Sequence, residues 1–188
     1  PQIKKKGRAA FDAILLDPLS GKELQKDLAG YRSFRIGRIR IVYRDTGNLT
    51  SIGDVSLEAD PCYIAPDRRG RFLFSAYYGA GLVAVHGIGE NGALVQSPIE
   101  WRATAKHAHC VQADPSNRFV FVPHTVPANA IFQFRFDENT GALTPNAVPR
   151  VTPGEGAGPR HFVFHPNGEI VYGSNEQGCS ATASRLDR

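Results

Sequence analysis

Three stretches lie over one another without a gap: CYIAPDRRGRFLFSAYY (62–78), HCVQADPSNRFVFVPHT (109–125) and RHFVFHPNGEIVYGSNE (160–176). Each is a short alternating apolar run, a turn built from Asp, Pro, Asn or Gly, and a second apolar run. Ile64, Val111 and Phe162 share one column and Phe72, Phe119 and Ile170 another, at offsets of 47 and 51 residues. A second marker recurs with them. Thr46-Gly47-Asn48-Leu49, Asn91-Gly92-Ala93-Leu94 and Thr140-Gly141-Ala142-Leu143 each close a unit with a G-x-L turn.

Runs of this length between such turns read as antiparallel strands, and VFVPH and IFQFRF alternate with the period of two that strands require. A period of roughly 40–50 residues holding about four strands is the signature of a propeller blade. A helical solenoid would show 3.6-residue stripes, and none follows residue 45. An immunoglobulin-like sandwich has no reason to repeat a turn motif. The expected fold is therefore mainly β: an incomplete β-propeller of about three blades, with a small α+β N-terminal segment. Ser184–Arg188 aligns with Phe134–Glu138, so the chain is expected to end inside a blade. Open sheet edges would then invite self-association.

The totals agree with a globular chain. Of 188 residues, 41% are hydrophobic and 21% charged, which argues against disorder. No apolar run reaches the ~20 residues of a membrane span and no signal-peptide core opens the chain, so a cytoplasmic protein without a membrane partner is expected. Three cysteines, none in a CxxC pair, make neither a disulfide framework nor a thiolate zinc site. The charge is uneven: residues 1–45 hold 11 Lys/Arg against 5 Asp/Glu, and the remainder 11 against 13. A basic head on a faintly acidic body predicts two units with different partners. In the head, residues 7–17 predict a helix with Phe11, Ile14 and Leu15 on one face. Pro18–Gly21 breaks it, a short helical or turn segment spans Glu23–Leu28, and residues 32–44 form a basic hairpin. The expected division is 1–44 and 45–188.

Equivalent positions on the inner strands of a propeller converge on its channel. The register puts Cys62, His109 and Arg160 at one such position and Tyr78, Thr125 and Glu176 at another. Ionisable groups among Phe, Val and Ile need a reason, because unpaired burial is costly. His107 and His109, two apart on a strand, would point to one face. Arg160 could clamp an anion while His or Glu moves a proton or activates water. The competing readings are a structural Arg160–Glu176 ion pair and a His-x-His metal half-site, though no third ligand is evident and no metal is expected. His124, His161 and His165 read as turn or core histidines and the cysteines as buried small residues. Neither a G-x-S-x-G elbow nor a phosphate loop occurs.

Together EADPCYIAPDRRGRFLFSAYYGAGLVAVH, HAHCVQADPSNRFVFVPH, IFQFRFDENTGALTPN and GPRHFVFHPNGEIVYGSNEQG resemble the seven-bladed lactonase family, which includes 6-phosphogluconolactonases and carboxymuconate lactonising enzymes. The resemblance covers residues 46–188. It implies lactone chemistry on a small anionic substrate without metal or organic cofactor, either hydrolysis or cycloisomerisation. It places function on His109, Arg160 and Glu176, with His107 and Asn175 at the substrate. A further arginine, which such sites take from a later blade, has no counterpart here. A non-catalytic propeller piece is the alternative. Residues 21–44, GKELQKDLAGYRSFRIGRIRIVYR, are similar to the middle of a RelE/ParE-type toxin. That likeness implies a nucleic-acid partner for residues 1–44, with Arg35 and Arg40 on RNA phosphate.

Overall fold

The computed structural model describes residues 51–57 and 59–187, together with 14, 16–17, 22–25, 31–36 and 39–44. The chain divides into two compact units, 1–51 and 52–188. In the first, β1 (Lys22–Glu23), β2 (Tyr31–Ile36) and β3 (Ile39–Arg44) form an antiparallel sheet in that order. The basic hairpin is thus present, with Arg35 paired to Arg40 across it. The segment Glu23–Leu28, expected to be helical or a turn, instead begins as strand, because Lys22 and Glu23 pair with Ser33 and Arg32 and satisfy the edge of β2; residues 26–28 lie outside the described residues. Of the helix expected over 7–17, Ile14 and Leu16 are helical, and most of the rest lies outside the described residues. The first G-x-L marker, at 46–49, also lies outside them.

The second unit is built from meanders, as the repeat requires. The first blade is β4 (Tyr63–Pro66), β5 (Phe72–Tyr77), β6 (Leu82–Gly87) and β7 (Glu100–Ala103). The second is β8 (Gln112–Ala113), β9 (Phe119–His124), β10 (Ala130–Phe136) and β11 (Leu143–Val151). The third has three strands, β12 (Pro159–Phe164), β13 (Ile170–Asn175) and β14 (Ser180–Arg185).

The turn between the first two strands of each blade explains why the register is so regular. Gly70, Asn117 and Gly168 stand in one column and all take a left-handed backbone, at φ of +65°, +62° and +72°. Glycine reaches that region freely and asparagine is among the few other residues that tolerate it. In the first two blades an aspartate holds the turn from inside. Asp67 accepts from the backbone N–H groups of Arg69, Arg71 and Phe72. Asp114, fully buried, does the same for Ser116, Arg118 and Phe119 and also accepts from the Ser116 hydroxyl. Burial alone would raise both carboxyl pKa values, but these donors outweigh it and hold both below the ordinary value. In the third blade His165 takes the position and, among the described residues, accepts from Asn167 N–H alone.

Blades one and two share a dry core. Phe74, Val83 and Val85 of the first meet Val111, Val120, Phe134 and Phe136 of the second, with the Phe136 ring edge-on to Phe74 at 5.0 Å. Each such side chain contributes about 1.5–3 kcal/mol by leaving water. The junction of blades two and three is looser. Phe121 meets Phe162 and Phe164 at 6.2 Å, and a cleft of about 300 Å³ opens between them toward Ile131 and Val171. Gln112 ties all three inner strands together, its amide donating to Tyr63 Oη at 2.9 Å and to the Phe162 carbonyl at 3.0 Å. Arg68, from the first blade's turn, donates to the Ala113 and Asp114 carbonyls and lies over the Phe164 ring.

Candidate active site

Every inner strand begins, and every second strand ends, at the same side of these sheets. That geometry gathers the two columns of polar residues. Arg160, at the start of β12, sends Nε to His109 Nε2 at 3.0 Å and to Glu176 Oε2 at 2.7 Å. The column Cys62–His109–Arg160 is continuous across the blades, for the Cys62 thiol donates to the Ala108 carbonyl at 3.2 Å, next to His109. Tyr78, from the other column, stacks on His107 at 4.4 Å and meets His109 edge-on at 5.6 Å. A cleft of about 510 Å³ opens beside Cys62 and Tyr78.

The hydrogen bonds define protonation. Because His109 Nε2 accepts from Arg160, its proton resides on Nδ1, which is buried and has no hydrogen-bond partner among the described residues. Burial of the ring, reinforced by the Arg160 cation, holds the His109 pKa below its ordinary value, so the imidazole is neutral at neutral pH. Arg160 and Glu176 are both about two-fifths exposed, at 43% and 42%, so the pair faces solvent and is not a buried structural ion pair. The terminal guanidinium nitrogens of Arg160 have no protein partner among the described residues and are available to an anion.

Two expectations change. His107 and His109 do not share one face of a strand: His107 sits in a turn at φ +70°, which breaks strand alternation, and the inner strand begins only at Gln112. Both rings reach Tyr78 nevertheless, and His107 Nδ1 hydrogen-bonds the Val126 carbonyl. His161, read from sequence as a turn or core histidine, lies edge-on to His109 at 4.8 Å. Burial, with the Arg160 cation and the neighbouring His109 ring disfavouring a second positive charge, lowers its pKa as well. Its place directly after Arg160 was the available signal. His124 and His165 do fit that reading: His124 is fully buried between Val122 and Thr104, and His165 holds its turn. Cys110 is buried, whereas Cys62 and Cys179 are exposed free thiols. Asn175 is buried, its amide donating to Ser180 Oγ across the β13–β14 hairpin while Oδ1 has no partner among the described residues. It adjoins Glu176 without joining the Arg160 cluster.

Successive antiparallel meanders of four, four and three strands, repeating one turn and one register, define a β-propeller fold. The same fold occurs in a Bacteroides fragilis protein (TM-score 0.69, 24% identity, 90% of this chain and 50% of that one). It occurs also in the periplasmic gluconolactonase of Pseudomonas aeruginosa (TM-score 0.67, 24% identity, 89% and 49%). Residues 32–188 match the model of the lactonase family, the seven-bladed β-propellers, and the chain belongs to that family. It is 39% identical over 142 residues to the 6-phosphogluconolactonase of Yersinia enterocolitica, covering 76% of this chain and 42% of that protein. The Yersinia pestis protein is 38% identical over the same length. The chain thus spans less than half the length of the curated relatives it matches. The family match begins at residue 32 and takes in β2 and β3, so it claims much of the stretch that resembles a toxin; the RelE/ParE likeness gains no support. Among the described residues no helix is long and apolar enough to cross a membrane.

Proposed function

We propose that this chain carries part of the active site of a sugar-lactone hydrolase acting on a phosphorylated or carboxylated lactone such as 6-phosphogluconolactone. The observation that carries the proposal is the single Arg160 Nε–H held between His109 Nε2 and Glu176 Oε2. Arg160 offers its free nitrogens to the substrate anion or to the oxygen that gains charge when the lactone carbonyl is attacked. His109 and Glu176 form the acid/base pair. A water proton passes to the pair as the water oxygen bonds to the carbonyl carbon. The bond to the ring oxygen then breaks, and the proton is returned to that oxygen, giving the hydroxy acid with no net change in the protein. His107 and Asn175 flank the substrate. The division at residue 44/45, a cytoplasmic setting and a catalytic role without cofactor belong to the same reading. RNA binding by residues 1–44 rests on charge alone, and self-association on the expectation of open edges.

The test is the hydrolysis rate of 6-phosphogluconolactone above its spontaneous opening, with Arg160→Ala and Glu176→Gln alongside. Both variants should lose at least about a hundredfold. Wild-type turnover that survives Arg160→Ala removes this site from the reaction, and turnover of a carboxymuconate substrate alone would point to cycloisomerisation.

A further inference from the structure

Gln177 follows Glu176 in the chain and reaches toward the preceding blade. Its Nε2 donates to Glu176 Oε1 at 3.0 Å, and its Oε1 accepts from the Val126 N–H at 3.3 Å. The Val126 carbonyl in turn meets His107 Nδ1. Glu176 therefore has one oxygen on Gln177 and the other on Arg160, which is itself bonded to His109. A continuous polar chain runs His107–Val126–Gln177–Glu176–Arg160–His109, and its two ends are the histidines that flank Tyr78.

Gly158 has a φ of +65°, which favours glycine there, and a Cβ at that position would have to displace the Gln177 side-chain amide, whose Oε1 stands 1.8 Å away. The same glycine is held from two sides. Its N–H donates to Asn129 Oδ1 at 2.7 Å, and its carbonyl accepts the Glu176 N–H at 2.8 Å. Without Gln177, Glu176 Oε1 would lose this donor and the two-fifths exposed carboxylate would be held on Arg160 through Oε2 alone.

We propose that Gln177 is the positioning residue for Glu176, orienting that carboxylate on Arg160 and fixing it against the His107 side of the site. The inference rests on the lactonase reading for its catalytic consequence, but its geometry can be tested apart from it. Gln177→Glu retains an oxygen for the Val126 N–H and removes the donor to Glu176, whereas Gln177→Leu removes both contacts. Both should lower kcat about tenfold while KM moves less than about twofold. If Gln177 only pins two blades together, Gln177→Glu keeps wild-type kcat, and the inference is overturned. The second measurement needs no turnover. The Arg160 Nε–H resonance, assigned by its disappearance in Arg160→Lys, should shift in Gln177→Glu with the backbone amide spectrum otherwise preserved. An unmoved resonance overturns the inference. A wild-type chain that hydrolyses no lactone defeats the lactonase reading and leaves this resonance to decide the role of Gln177.

Discussion

Lowering the pH from 8 to 5 should destabilise the propeller unit mainly through His124. That imidazole is fully buried, with Nδ1 on the Val122 carbonyl and Nε2 on Thr104 Oγ1, both at 2.9 Å. The Thr104 hydroxyl lies within reach of both Nε2 and the Gly81 carbonyl, which also accepts the Thr104 N–H, so it can donate to a neutral Nε2. Protonation would only reverse that hydroxyl toward Gly81, 3.1 Å away, so the hydrogen bonds can adapt. The cost lies in burying the charge, and burial pushes the His124 pKa down to about 4 from 6.5. A histidine depressed in the folded state keeps its stability above the unfolded pKa and loses it as the pH falls, because the unfolded chain takes the proton first. Linkage over that interval gives a loss of about 2 kcal/mol at pH 5, growing to about 3 by pH 4. Asp67 and Asp114 are depressed as well, but their contribution persists down to about pH 4, below the window chosen. His86, His109 and His161 are lowered by burial and add to the same slope, so a variant must isolate His124. Urea unfolding followed by the single tryptophan, Trp101, in wild type and His124→Gln provides the comparison. The variant should be less stable at pH 8 yet lose about 2 kcal/mol less on acidification. An identical pH 8-to-5 loss in both proteins would refute the assignment.

Asp114→Ala should cost about 3 kcal/mol in the same urea assay, since three backbone donors and the Ser116 hydroxyl lose a buried acceptor; a loss under about 1 kcal/mol would contradict the turn account. His165→Asp should stabilise the third blade by about 0.5–1 kcal/mol, by giving its turn the acceptor the other two possess, and a clear destabilisation would show that the turns are not equivalent. Alkylation by iodoacetamide at pH 8, read by mass spectrometry, should label exposed Cys179 first. Cys62, exposed but with its pKa raised by burial of the thiol, should follow, and Cys110, pushed up to about 11 in the core, should come last. Cys110 labelling ahead of Cys179 would contradict this packing.

The blades were legible because the turn chemistry repeats in identity as well as in pattern: Gly70, Asn117 and Gly168 are all residues that accept positive φ. The convergence of His109, Arg160 and Glu176 was legible for a related reason, since register fixes which strand ends meet. What escaped the sequence was set by backbone that does not repeat. His107 left the strand through a positive φ that no neighbouring glycine announced, and His161 turned toward His109 across a register shift at Pro159–His161. Gln177 carried no signal of its own, because its contacts run to Glu176 and, 51 residues away, to Val126 of the preceding blade. The short strand Lys22–Glu23 is a tertiary pairing too brief for any periodicity to reveal.

The three-way grip of Gln112 has a consequence for modularity. Repeats that share a turn and a register look exchangeable, like copies of one cassette. The positions equivalent to Gln112 in the flanking blades are Ala65 and Val163, and neither side chain can donate to Tyr63 and Phe162 at once. Copying the first or third blade into the middle slot would preserve every strand and leave the hub without its bolt. These blades share one pattern, but the middle one is specific to its place between its two neighbours.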